Sequence, residues 1–190
     1  PWIDMSLWDS CPTTADESEL RGLPCYIGVD GSRTRDLSSL CAVFPRGDGS
    51  YVARWKFYCS SEPISVRAKQ ERDGYSDFVR RGLIEATAGT SINTARIKED
   101  ILEWCKKYDV VEVCVDPYNL RDVAQDLQDI GITVVEVPQT TVSLTDPTKL
   151  VEQLVENGKL DHGGDVVARW CAENATVISD KNGNIRPAKP

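Results

Sequence analysis

The stretch Val110-Val111-Glu112-Val113-Cys114-Val115-Asp116 is apolar at nearly every position and ends in an acid. A short apolar run without alternation fits a strand covered on both faces, and such strands belong to parallel sheets flanked by helices. Cys25-Tyr26-Ile27-Gly28-Val29-Asp30 is a second strand that also ends in aspartate. These two segments make the chain an α/β protein and place two carboxylates at strand ends.

The remaining pattern fills in the fold. Leu40 to Phe44 and Tyr51 to Tyr58 read as strands two and three, joined by the Asp-Gly turn at Arg46 to Gly49. Strands one to three form an antiparallel meander. Ile97, Ile101, Trp104, Cys105 and Tyr108 share one helix face, opened near Asn93. Val110 to Asp116 is the fourth strand. Asn119 is placed as the cap of a helix with Leu120, Val123, Leu127 and Ile130 facing inward, which Gly131 stops. Ile132 to Val137 is the fifth strand. Asp146-Pro147 reads as a cap followed by the first helical residue, with Leu150, Val151, Leu154 and Val155 facing inward up to Gly158. Val166, Val167, Trp170 and Cys171 suggest one more helix, and Asn182-Gly183 turns a C-terminal hairpin. The expected architecture is one domain over 1–190: a mixed five-stranded sheet, antiparallel meander plus parallel strands, flanked by helices. Residues 1–22 form an extension anchored by Trp2 and Trp8. Residues 60–90 form a charged insertion.

Composition limits the chemistry. The net charge is -8, which argues against a protein that coats nucleic acid unaided. It leaves room for an enzyme that meets nucleic acid through bound cations. No apolar run is long enough to span a membrane, and the start lacks the features of a signal peptide. Seven cysteines without a CxxC pair read as reduced thiols of a cytosolic protein, and a zinc site is disfavoured by their spacing. His162 is the only histidine and reads as a loop residue; no GxSxG motif accompanies it. Hard chemistry must therefore rest on carboxylates.

If strands one and four are parallel neighbours, Asp30 and Asp116 meet at one edge about 4.8 Å apart. Two carboxylates so placed can hold Mg²⁺, which takes oxygen ligands, and a pair of such ions supports in-line phosphoryl displacement without a side-chain nucleophile. The same two acids can also serve simply as loop caps.

Gly28-Val29-Asp30-Gly31-Ser32, Arg35 through Leu40, Val115-Asp116-Pro117-Tyr118 and Gly131-Ile132 follow one another in this chain. So do Val137-Pro138-Gln139, Gly158 through Gly164, Asn174 and Asp180 through Lys189. In order and spacing these segments resemble the nuclease domain of the large terminase subunit of tailed bacteriophages. The resemblance covers nearly the whole chain. It implies an RNase H-like fold and metal-dependent endonuclease cutting of concatemeric double-stranded viral DNA. Two Mg²⁺ or Mn²⁺ ions would be held by Asp30 and Asp116, the catalytic pair. It implies portal protein and small terminase subunit as partners, and the infected host's cytoplasm as location. Asp36 matches a recurrent acid of the first hairpin, Ser32 lies beside the metal, and Gln139 is placed near the same edge, to contact DNA or to bond its own loop. A third carboxylate is expected on a helix after Pro190; Asp180 and Asp165 are the candidates within the chain. No P-loop is present, so the motor ATPase is absent, and together with the missing initiator Met this suggests a piece of a larger protein.

Within 60–90, Arg67, Lys69, Arg72, Arg80 and Arg81 could meet phosphates, but Glu62, Glu71, Asp73 and Asp77 are interspersed, as on a solvated face. Tyr75 and Phe78 read as anchors. Two other functions stay open: an actin- or sugar-kinase-like nucleotide-binding half, which also begins with a Gly-x-Asp strand, and a nuclease-like domain used only for docking to portal or small subunit.

Overall fold

The computed structural model describes residues 2–32, 36–61 and 75–189. Its centre is the meander β1 (Pro24–Asp30), β2 (Ser38–Pro45) and β3 (Tyr51–Ser60). Gly28 pairs with Cys41 across the first antiparallel ladder and Asp30 with Ser39. Gly49 turns β2 into β3 at φ +82°, a conformation that favours glycine.

Two further strands continue the sheet on the other side of β1. β5 (Asp109–Val115) runs parallel to it, with Val29 opposite Val115, and β6 (Val134–Glu136) runs parallel to β5. The mixed sheet is thus as expected at its core, with β6 shorter than Ile132 to Val137. It is also larger than five strands. β4 (Glu85–Thr87) lies parallel to the end of β3, and β7 (Leu160–Asp161) pairs with its beginning. The sheet order is β4-β3-β2-β1-β5-β6, with β7 off that path.

The supposed insertion therefore contributes to the sheet. Residues 75–90 hold α3 (Tyr75–Arg80) and β4, and Phe78 is buried edge-on against Trp170 at 6.1 Å. A three-residue strand is too short to show a period-2 pattern. Asp77 pairs with both Arg80 and Arg81 on the surface. The readings for Glu62, Arg67, Lys69, Glu71, Arg72 and Asp73 lie outside the described residues, as does the Tyr75 side chain.

Helices cover both faces. On one, α4 (Thr94–Lys107) and α5 (Arg121–Asp129) pack Ile97, Ile101, Trp104, Val123 and Leu127 onto Ile27, Val29, Leu40, Phe44 and Val113. On the other, α1 (Met5–Ser10), α6 (Thr141–Glu156) and α7 (Val166–Asn174) join Trp8, Val155 and Val167 to Phe57 and Cys59. The short α2 (Glu17–Leu20) buries Leu20 in the first core. The C-terminal hairpin, β8 (Thr176–Ser179) with β9 (Ile185–Ala188), is a separate two-stranded sheet.

α6 corrects the sequence reading. Its N-cap is Thr140, whose hydroxyl accepts the Ser143 N–H at 3.1 Å, so Asp146 and Pro147 lie inside the helix. A proline there leaves the carbonyl four residues earlier without its donor. The hydroxyls of Thr145 and Thr148 on either side bond the carbonyls of Thr141 and Leu144. Leu150 is 42% exposed rather than inward, and so is Ile130, 60% exposed at the C-cap of α5 where it leaves the buried face.

The N-terminal extension is pinned by the Asp161–Gly164 turn. Asp161, 2% exposed, accepts the Ala15 N–H at 2.7 Å and pairs with Arg54 at 3.1 Å. His162 is buried and stacks on Trp8, centroids 4.4 Å apart. Its Nδ1 accepts the Gly164 N–H, so Nε2 carries the proton donated to the Trp8 carbonyl. Both nitrogens are engaged in structure, and this histidine serves no nucleophile. Burial pushes the Cys25 and Cys41 thiols up to about 12, which leaves them unreactive. Among the described residues no helix is long and apolar enough to cross a membrane.

One buried charge network ties α4 to the sheet. Asp100 is fully buried and accepts from Lys56 at 2.7 Å, from the Tyr58 hydroxyl, and from Arg96 at 3.0 Å. Burial alone would raise its pKa; the bonds from Lys56 and Tyr58 and the charges of Lys56 and Arg96 outweigh that and hold it below its ordinary value. Asp100→Ala leaves Lys56 and Tyr58 facing a void and should cost about 3 kcal/mol, read as a lowered urea midpoint. Because the folded pKa is depressed, the stabilisation is present above pH ~3.9 and is lost as pH falls through the folded value. The wild-type and Asp100→Ala unfolding curves should therefore approach each other in strong acid.

Candidate metal centre

The parallel pairing of β1 with β5 builds the site. Val29 and Val115 are register partners, and each strand's next residue is an aspartate. Side chains alternate along a strand, so Asp30 and Asp116 leave the sheet on one face, beyond Gly28 and Cys114. Their charges are mutually felt. Desolvation raises the Asp30 pKa, Lys189 opposes the rise, and the negative charges of Asp116 and Asp36 add to it.

The two carboxylates have different surroundings. Among the described residues no hydrogen bond reaches the Asp30 carboxylate; the residue is exposed at the rim of the sheet, yet its carboxyl lies close enough to the protein for desolvation to be the main cause of its raised pKa. Asp116 is 8% exposed; its Oδ1 accepts the Tyr118 N–H at 3.0 Å and its Oδ2 the Asn119 amide at 3.4 Å. Each carboxylate oxygen has two acceptor sites, so Asp116 keeps capacity for a cation. Asn119 was expected to cap α5. The cap position is instead Leu120, with no side-chain cap bond, because Asn119 is turned back onto Asp116.

The loop after β1 is closed onto the loop after β5. A Cβ on Gly31 would meet the Leu120 side chain at 2.7 Å, so only glycine permits this approach. Ser32 donates its N–H to Ser38 Oγ at 2.8 Å, and its own hydroxyl accepts the Asp36 N–H at 3.2 Å. Asp36 is thereby ordered beside the pair, and Lys189 bonds it at 2.7 Å. A cavity of about 410 Å³ adjoins the same edge, lined by Gly31, Ser32, Ser38, Ser91, Asn119 and Asp122 among others.

Other predicted residues are occupied elsewhere. Gln139 donates to the Val137 carbonyl at 3.0 Å, the loop bond that was one of its two readings. Asp180 accepts from Thr141, from the Asn184 side chain and from the Asn182 and Asn184 N–H groups, so it organises the hairpin turn. Asp165 caps α7 through the Ala168 N–H at 2.8 Å. Among the described residues no three His, Cys, Asp or Glu side chains converge as a complete metal cage. Sequence reasoning missed Lys189, whose place near Asp36 arises from the distant hairpin and leaves no local signal.

The donor set at the edge is two hard carboxylates. Such oxygens suit Mg²⁺ or Mn²⁺ rather than soft-ligand metals. A divalent cation would also offset the desolvation and the neighbouring negative charges that raise the Asp30 pKa.

The family model described as terminase large subunit, endonuclease domain matches residues 1–190. The chain belongs to this family. The large terminase subunit of Enterobacteria phage HK97 is 28% identical over 186 residues, covering 97% of this chain and 36% of that protein. Protein YmfN of Escherichia coli K12 is 25% identical, covering 99% of this chain and 44% of that protein. The chain thus spans less than half the length of these curated relatives. The crystal structure of the HK97 large terminase matches at TM-score 0.83 with 27% identity, over 98% of this chain and 39% of that one. The large terminase nuclease of thermophilic phage G20c with bound magnesium matches in fold at TM-score 0.52 and 16% identity, over 88% of this chain and 72% of that one.

Replacing Asp30 by Asn removes a charge that the fold disfavours. The raised folded pKa means ionised Asp30 destabilises the metal-free protein above that pKa, and the penalty fades as pH falls through it. In EDTA at neutral pH, Asp30→Asn should melt higher than wild type, with the gap closing in acid. The same variant should lose the melting shift that Mg²⁺ or Mn²⁺ confers on wild type. A lower EDTA melting temperature for Asp30→Asn would contradict the electrostatic account.

Proposed function

We propose that this terminase domain is a divalent-metal-dependent endonuclease that cuts concatemeric double-stranded DNA during viral genome packaging. One observation carries the reading: Asp30 and Asp116 extend register-paired parallel strands at a shared edge. Two Mg²⁺ or Mn²⁺ ions bound there would supply an activated water and stabilise the leaving 3′ oxygen. Asp30 and Asp116 would hold them. The Tyr118 N–H and Asn119 amide fix the rotamer of Asp116, and the Gly31–Leu120 contact keeps the two loops in register. Asp36 and Ser32 order the adjoining loop. Asp165 and Asp180 already accept backbone N–H groups, which favours a third carboxylate from outside these 190 residues over either of them.

The charge of -8 supports weak DNA affinity for the isolated domain, with the rest of the terminase, the portal protein and the small subunit delivering the duplex in the infected cell. Family membership favours this reading over the nucleotide-binding half. Use as a docking domain alone is distinguished by activity. Plasmid cleavage with Mg²⁺ or Mn²⁺ should be weak for this chain and stronger for a C-terminally extended one. Asp30→Ala or Asp116→Ala in the extended protein should lower the rate by about 100-fold or more. Undiminished cleavage by Asp116→Ala would overturn the site, and retained portal binding without any wild-type cleavage would favour docking.

A further inference from the structure

We propose that Tyr118 is a substrate-contacting residue, whose ring packs against the sugar or base of the nucleotide next to the phosphate being cut. The proposal rests on the nuclease reading above and adds a DNA contact to it. Tyr118 is 78% exposed, the highest value among the large hydrophobic side chains of the described residues. Single exposed apolar residues are ordinary on protein surfaces. Tyr118 is distinguished by how it is held. Its own N–H bonds the Asp116 carboxylate at 3.0 Å, and Pro117 between them restricts the backbone. Two residues further on, Leu120 is 1% exposed and sits against Gly31, directly after Asp30. The exposed ring thus extends from a backbone bonded to Asp116 and packed, through Leu120, against the residue that follows Asp30. Two residues span at most about 7 Å, so a nucleotide whose phosphate lies at Asp30 and Asp116 brings its neighbours within reach of the ring.

The electrostatics make such a contact useful. The chain carries a net charge of -8, and the acidic edge itself repels phosphate until cations bind. An aromatic face meets a deoxyribose by apolar contact, or a base where the strand is locally unstacked at the cut, independently of sequence. It would place the strand without adding positive charge that competes with the metal ions.

The test uses the full-length terminase polypeptide that carries this domain, with Tyr118→Ala, Tyr118→Phe and Asp30→Ala. Duplex cleavage with Mn²⁺ is measured for KM and kcat at several salt concentrations, and Mn²⁺ binding and melting temperature are measured in parallel. Tyr118→Ala should raise KM about tenfold, the scale of one lost stacking contact, and Tyr118→Phe should stay near wild type. The salt dependence of KM should be unchanged in Tyr118→Ala, since no phosphate-neutralising charge is lost. Mn²⁺ binding and melting temperature should also be unchanged. A wild-type KM for Tyr118→Ala, or an equal loss in Tyr118→Phe, would overturn the ring contact. A loss of Mn²⁺ binding in Tyr118→Ala would instead assign the residue to supporting Asp116. Full cleavage by Asp30→Ala would show that the nuclease site itself is elsewhere, which is a different failure.

Discussion

The parallel ladder between β1 and β5 is the constraint on which the site depends. These strands are far apart in sequence, and their side-by-side pairing puts Val29 against Val115 and their following residues at one edge. Nothing local holds the two acids together; two like charges repel. The pairing is held by backbone hydrogen bonds and by burial of Ile27, Val29, Val113 and Val115 beneath α4 and α5. The apolar core thus holds two carboxylates at one edge, where the charge of Asp116 adds to the desolvation that raises the Asp30 pKa.

The loops beyond the strands refine that arrangement. Gly31 allows Leu120 to seal the two turns together, and Asn119 and the Tyr118 N–H clasp Asp116. Lys189, arriving from the C-terminal hairpin, bonds Asp36 and lowers the Asp30 pKa. A cation of the protein's own therefore partly balances the acidic edge. Away from the edge, the Asp100 network and the Asp161–His162 turn bind α4 and the N-terminal extension to β3 and its neighbours.

Much of this was legible in the residues. The continuous apolar run before Asp116 correctly marks a strand, but not its burial on both faces: Val113 and Val115 are buried while Val111 is 43% exposed, and it is β3, read from its alternation, that buries residues in both cores. The Asn93 cap was equally clear, because its carbonyl oxygen accepts two N–H groups within three residues. The failures were of another kind. Asn119 and Asp146-Pro147 both carry cap chemistry, yet Asn119 bonds a strand-end acid and Pro147 lies inside α6. In each case a tertiary partner, Asp116 or the hydroxyls and hairpin around Thr145, competed with the local preference. β4 escaped notice because three residues show no period and its existence depends on the free edge of β3.

By itself, the sequence determined the four central strands β1, β2, β3 and β5, that two strand segments end in aspartate, and that neither histidine nor cysteine is arranged for nucleophilic catalysis. These follow from residue type and short-range spacing. The tertiary structure alone decided that Asp165 and Asp180 are spent on backbone donors, that Lys189 reaches Asp36, and that Tyr118 stands exposed beside a buried acid. Those outcomes depend on which distant surfaces meet. Contacts between residues separated by tens or hundreds of positions are selected by burial and pairing over the whole chain, and they leave no periodic trace at either end.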